Sequence, residues 1–106
     1  MNDARLPAWV EVSALLRLAE QGGGHGAVLA RGDDDRGGIL VEMRDREGTG
    51  LWERLWRGGG YRWSLLEQAD DKQQDYLQKR RRDDPDLWVV ELFVPSAKRF
   101  TAEMMS

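Results

Sequence analysis

The sequence predicts an α+β fold, an antiparallel sheet of five or six strands with two helices packed on one face. Three observations carry that prediction. Glycine clusters at Gly22-Gly23-Gly24, Gly37-Gly38, Gly48 with Gly50, and Gly58-Gly59-Gly60 recur at the roughly 10 to 15 residue spacing of short strands and hairpin turns. Between them, apolar and polar residues alternate with period two, the pattern of a sheet with one wet face. On either side of this middle region the apolar period changes to that of a helix.

Taken in order, Trp9 to Val12 reads as a first short strand, with the start of a helix as its alternative. Ser13 suits an N-cap, and Val12, Leu15, Leu16 and Ala19 fall at i, i+3, i+4 and i+7, one face of a helix. That helix ends near Gln21, with Gly22 or Gly23 as a left-handed C-cap. Ala27 to Arg31, Ile39 to Arg44, Leu51 to Arg57 and Tyr61 to Leu66 read as four strands. In the second, Ile39, Val41 and Met43 face one way while Glu42 and Arg44 face the other. Gln68 to Arg82 reads as the second helix. Glu67, Asp70 and Asp71 lie near its start and Lys79 to Arg82 at its end, matching the macrodipole. Its apolar seam is Ala69, Tyr76 and Leu77, with Gln73 between them, and Asp84 before Pro85 leaves the helical region. Leu87 to Val94 has few polar positions on either face, the mark of a central strand buried on both sides. The domain expected from this pass runs from residue 9 to 94, between an N-terminal tail (1–8) and a partly ordered C-terminal tail (95–106) with Phe100, Met104 and Met105 as anchors.

The composition of the 106 residues excludes several classes of function. Sixteen Lys and Arg against 19 Asp and Glu give a net charge of -3, which argues against a nucleic-acid binder that neutralises phosphates. The absence of cysteine removes disulfides, iron–sulfur clusters, thiol nucleophiles and Cys-containing zinc sites, and a single histidine removes two-His metal sites. No metal and no cofactor is implied. The N-terminus carries charge and no apolar h-region, and Glu91 interrupts the longest apolar stretch, which is far below the roughly 20 residues of a membrane span. The expected location is cytoplasmic, away from membranes.

Each chemical constellation competes with a structural reading. Gly22-Gly23-Gly24-His25-Gly26 is rich enough in glycine for a phosphate loop, but a helix precedes it and a strand follows, the reverse of a cradle; a C-cap and turn fits better. Ser13, His25 and one of Asp33 to Asp35 can be drawn as a hydrolytic triad, with no geometric support from spacing. Asp33-Asp34-Asp35 lacks the spaced ligands of a calcium loop and reads as a turn. Glu42, Glu53 and Glu91 offer carboxylates for acid/base work, with Glu91 the one expected to be partly buried and an arginine its expected partner. Lys79 to Arg82 is offset by Asp83, Asp84 and Asp86.

The aromatic set exceeds ordinary composition. Trp52, Arg54 and Trp56 share a face of one strand, and Tyr61 and Trp63 share a face of the next, with Arg62 opposite. Guanidinium groups among aromatics can anchor a protein partner or stack on bases, whereas tryptophans can equally cover a small core. Trp52, Arg54, Trp56, Arg62 and Trp63 are the candidate binding residues.

Trp9-Val10-Glu11-Val12-Ser13-Ala14-Leu15-Leu16-Arg17, the Gly-rich helix-to-strand turn, and Asp84-Pro85-Asp86-Leu87-Trp88-Val89-Val90-Glu91 together resemble a small bacterial family, domain of unknown function 1491. The similarity spans Trp9 to Val94 and implies a stand-alone cytoplasmic protein of this length. It brings no activity and no catalytic residues with it. The function expected is a small protein-interaction module that uses the Trp/Arg strand surface toward a protein partner or a second copy of itself. The alternatives are a nucleotide or single-stranded nucleic-acid binder through the same aromatics and, third, a carboxylate-based enzyme. The reading leans away from catalysis.

Overall fold

The computed structural model describes residues 6–57, 60–66 and 72–104. Glu67 to Asp71, where the second helix is expected to begin, lie outside the described residues, as do Gly58, Gly59 and Met105. The elements are α1 (Ala8–Gln21), β1 (His25–Ala30), β2 (Ile39–Asp45), β3 (Gly48–Arg57), β4 (Gly60–Leu66), α2 (Gln73–Asp83), β5 (Trp88–Phe93) and α3 (Ala97–Met104).

The fold is α+β, but the sheet is mixed and carries three helices, not two on one face. Its strand order is β1-β5-β2-β3-β4. The β1–β5, β2–β3 and β3–β4 pairs are antiparallel, as expected; β2 and β5 run parallel. The connection explains the difference. After the β2-β3-β4 meander, the chain from residue 67 to 87 is long enough for the crossover of a dozen or more residues that a parallel partner requires. It carries α2 across one face and brings β5 back beside β2.

The helices therefore divide between the faces. Val12, Leu15 and Ala19 of α1 and Phe100 of α3 pack with Ile39, Val41, Met43, Trp88, Val90 and Leu92. Leu77 of α2 packs with Leu40, Leu51, Leu87 and Val89 on the opposite face. Residues 39–43 are consequently all buried, Glu42 included, so this part of β2 has no wet face, and only Arg44 and Asp45 at its end are half-buried. The strand β5 is buried on both sides, as its apolar run indicates.

Helix α1 begins earlier than Ser13, and Trp9 to Val12 belong to it. The buried Ala8, Val12, Leu15 and Ala19 are one continuous helical face, and Pro7 has a fixed φ suited to the entrance. The first free N–H groups are satisfied from a distance. Ala8 N donates to the carbonyl of Asp35 and Trp9 N to that of Asp34. The acidic turn thus closes a helix. Gly23, at φ 91°, takes the left-handed conformation after α1, and Gly24 N donates to Ala19 O. Helix α3 lies where a tail is expected, and Phe100 buries it against the α1 core.

Candidate functional site

Arg54 lies opposite Trp63, and Trp52 opposite Leu65, in the β3–β4 ladder. Trp52 and Trp63 pack partly buried against the α1 core. Arg54 lies inside it: the residue is 5% exposed, ion-paired with Glu11 of α1, and donates to the carbonyl of Gly37 at 2.9 Å. Trp56 stands opposite Tyr61 in the ladder, and its side chain is outside those described. Arg62 is exposed, and strand alternation puts it on the face opposite Trp63. The structure thus gathers Trp52, Arg54 and Trp63 and separates Arg62 from them.

The α2 face carries a charge network. Glu42 and Glu91 are cross-strand neighbours, as are Arg44 and Phe93, Arg44 and Thr49, and His25 and Phe93. Arg44 Nη2 lies 3.1 Å from Glu42 Oε1, and Arg44 Nε lies 3.2 Å from Glu91 Oε2. The arginine partner expected for Glu91 is present. Burial pushes the Glu42 carboxyl above the usual carboxylate range; Arg44 opposes the shift and the facing Glu91 adds to it. Further along this face Arg80 bonds Glu53 at 2.6 Å and Tyr76 Oη at 2.9 Å. Where α2 leaves the sheet uncovered, a broad cleft of about 580 Å³ is lined by His25, Arg44, Thr49 and Phe93, with the His25 ring stacked on Phe93 at 4.7 Å.

The hydrolytic triad drawn from the sequence is not assembled. Ser13 borders a cleft on the α1 face, whereas His25 stacks with Phe93 on the other. The glycine run is a cap: Gly22, Gly23 and Gly24 spend their N–H groups on carbonyls of α1. Among the described residues no group of three or more His, Asp or Glu is placed to hold a metal ion. No helix among them is long and apolar enough to cross a membrane.

The third feature is the edge of the sheet at β1. This strand, His25-Gly26-Ala27-Val28-Leu29-Ala30, contains no Lys, Arg, Asp, Glu or Pro and, among the described residues, pairs on one side alone, with β5. Val28 is 41% and Leu29 51% exposed, and Trp9, on the adjacent α1, is 49% exposed. Trp9, Ser13 and Leu16, at i, i+4 and i+7, form a stripe along α1 that borders a cleft of about 350 Å³ together with Val28, Arg31 and Trp88. The Arg31 guanidinium lies 5.1 Å over the Trp88 ring and 2.7 Å from Asp34.

The family model for the DUF1491 protein of unknown function matches residues 6–102. The chain belongs to the DUF1491 family. A crystal structure of a DUF1491 protein from Caulobacter crescentus CB15 is similar to it, with a TM-score of 0.79 and 33% identity over 91% of this chain and 94% of that one. An NMR structure of a DUF1491 protein from the same organism gives 0.78 and 34%, over 90% and 91%. A solution structure of a protein from A. tumefaciens gives 0.78 and 28%, over 91% and 92%. No curated protein matches the chain. The family resemblance is thereby established, and no activity comes with it.

The β1 edge is what sequence reasoning passed over. Its signal was present: a strand without one charged residue, followed by Arg31, beside a tryptophan that the helical period leaves off the buried face.

Proposed function

We propose that this DUF1491 chain is a small protein-interaction module that receives an extended polypeptide segment along β1, with the Trp9–Ser13–Leu16 stripe of α1 as the wall of the groove. The observation that carries this reading is the coincidence of an unpartnered, uncharged edge strand with the exposed apolar side chains Trp9, Val28 and Leu29. Natural sheets blunt exposed edges with lysine, proline or inward charges. In β1 only the register shift between Val28 and Ala30 interrupts the edge. An added strand would bond the outward N–H and C=O groups, and alternate side chains would meet the cleft beside Val28.

This reading moves the interaction surface from the Trp/Arg strands to the other edge of the sheet, because Arg54 is engaged with Glu11 and Gly37. The base-stacking alternative loses support for the same reason, since its central guanidinium faces the core rather than a phosphate.

The test is a photo-crosslinking amino acid introduced in place of Leu29 in cells, with Arg62 on the opposite edge strand as the control position. Protein adducts of discrete mass at position 29, absent at 62 and lost on Val28→Lys, are expected. No adduct of any mass at position 29 would reject the reading.

A further inference from the structure

We infer that the occupant of the β1 edge is a second copy of this chain, paired antiparallel about a two-fold axis through Ala27, so that two five-stranded sheets join into one. The inference rests on the edge-docking reading and names its partner.

Self-complementarity is the first argument. A two-fold axis perpendicular to the sheet keeps each face continuous, so only residues on the same face can stand opposite each other. With the axis at Ala27, the small Ala27 side chains meet on the α2 face. On the α1 face each Val28 stands across from Gly26 of the other copy. That is a large residue against a position with no side chain. A larger residue at Gly26 would also have to displace its own neighbours, because a Cβ there would meet Leu92 Cδ2 at 2.5 Å and Leu16 Cδ2 at 2.8 Å. Its vacancy leaves the Leu16 side chain as the surface on which the other copy's Val28 would rest.

Charge is the second argument. From His25 to Ala30 no position is Lys, Arg, Asp or Glu, so self-pairing opposes no like charges of those residues across the ladder. Arg31, the first charge beyond the strand, is already paired with Asp34. In the antiparallel arrangement the two Arg31 residues fall at opposite ends of the joint.

Continuity of two layers is the third. α1 packs over β1, and its Trp9–Ser13–Leu16 stripe lies along the same side of the molecule as the free strand edge. The two-fold axis that joins the strands also brings two such stripes together as antiparallel helices, with Leu16 nearest the axis. One operation thus covers the strand edge, Val28, Leu16 and Trp9 together. A heterologous peptide strand would cover the edge and contact the helix stripe only as a groove wall, whereas a second copy also brings a matching helix against it.

The test is sedimentation velocity of the purified full chain from about 1 µM to about 1 mM, with variants that read the register. Ala27→Lys and Ala27→Asp each place a like pair on the axis and are expected to raise the dimer dissociation constant by roughly fivefold or more. An equimolar mixture of the two is expected to recover association, because Lys then faces Asp. Trp9→Lys, on the helix layer, is expected to weaken the dimer without changing the circular dichroism spectrum. A chain that stays monomeric over the whole range overturns the inference, as does a dimer indifferent to both Ala27 variants. Crosslinks at position 29 to other proteins, with a monomeric purified chain, would sink self-association and leave the edge-docking reading standing. The absence of any crosslink would sink both.

Discussion

Glu42 stands directly across from Glu91 on the parallel β2–β5 pair, and the Arg44 guanidinium reaches both carboxylates. The two acids sit together because β5 returns parallel to β2 in a register that aligns them. Glu42 is 1% exposed, so its charge is tolerable chiefly through Arg44, with Gln74 adding a bond at 3.4 Å.

That relationship predicts a sign for the pH dependence. The Glu42 carboxyl titrates above its ordinary value of 4.5 in the folded chain. Its favourable contribution is fully present below the unfolded value and is lost as pH rises through the folded one, since the unfolded chain ionises first. Urea midpoints measured across this window are expected to fall with rising pH in the native chain. In Glu42→Gln that fall is expected to flatten, and in Arg44→Met, which loses the opposing cation, to steepen. An unchanged pH slope in both variants would remove Glu42 as its source.

Removing Arg44 also leaves two acids facing each other. Arg44→Met is expected to cost about 1–3 kcal/mol at neutral pH, below the figure for a fully buried pair because 39% of its side chain remains in water. Adding Glu91→Gln to that variant is expected to restore part of the loss by relieving the repulsion. A double-mutant cycle in chemical denaturation reads it.

Glu11 and Arg54 join α1 to β3, and the Arg54 side chain is 2% exposed. Glu11→Ala leaves a buried guanidinium with Gly37 O among its remaining acceptors, a change expected to cost about 3–5 kcal/mol. Arg54→Met with Glu11→Met together replaces the pair by apolar volume and is expected to cost much less. Equal losses in the two variants would mean that the charges themselves contribute nothing.

Legibility in the sequence followed the reach of each signal. The strands β2, β3 and β4 and the end of α1 were readable because alternation and glycine act within a few residues. The buried strand within residues 87–94 was readable for the same reason, and Trp88, Val90, Leu92 and Val94 on one face of it line the α1 core. The parallel β2–β5 pair was not, because nothing local in β5 records which strand it will join. Ser13 was misread as a cap because the groups that close α1 are backbone carbonyls at Asp34 and Asp35, and a carbonyl has no residue-type signature. Arg54 among tryptophans looked like a binding surface; its partner Glu11 lies 43 residues away in another element.

Trp88 is 2% exposed, and its indole Nε1 donates to the Asp33 carbonyl at 2.6 Å. Trp88→Ala is expected to cost about 3–5 kcal/mol from lost burial and the cavity. Trp88→Phe keeps most of the apolar area but orphans the carbonyl, and about 1–3 kcal/mol is expected. Because the same acidic turn closes α1, this variant is also expected to speed amide exchange at Ala8 and Trp9. Unchanged exchange there would uncouple the turn from the helix.

Asp45 Oδ2 accepts from Ala97 N at 2.7 Å, tying the start of α3 to the end of β2. The bonds from Ala97 and Glu47 hold its carboxyl below the usual carboxylate range. A depressed acid contributes stability above its unfolded value of 3.8 and loses it as pH falls through the folded one. The local consequence is a helix that loosens in acid. Phe100 also holds α3, so Asp45→Ala is expected to loosen its first turn rather than detach it, with faster exchange at Ala97 and no change at Val90. Asp45→Asn retains an acceptor and is expected to keep much of the protection while losing its dependence on acid. If Asp45→Ala left the Ala97 amide as protected as before, the carboxylate would not be what anchors α3.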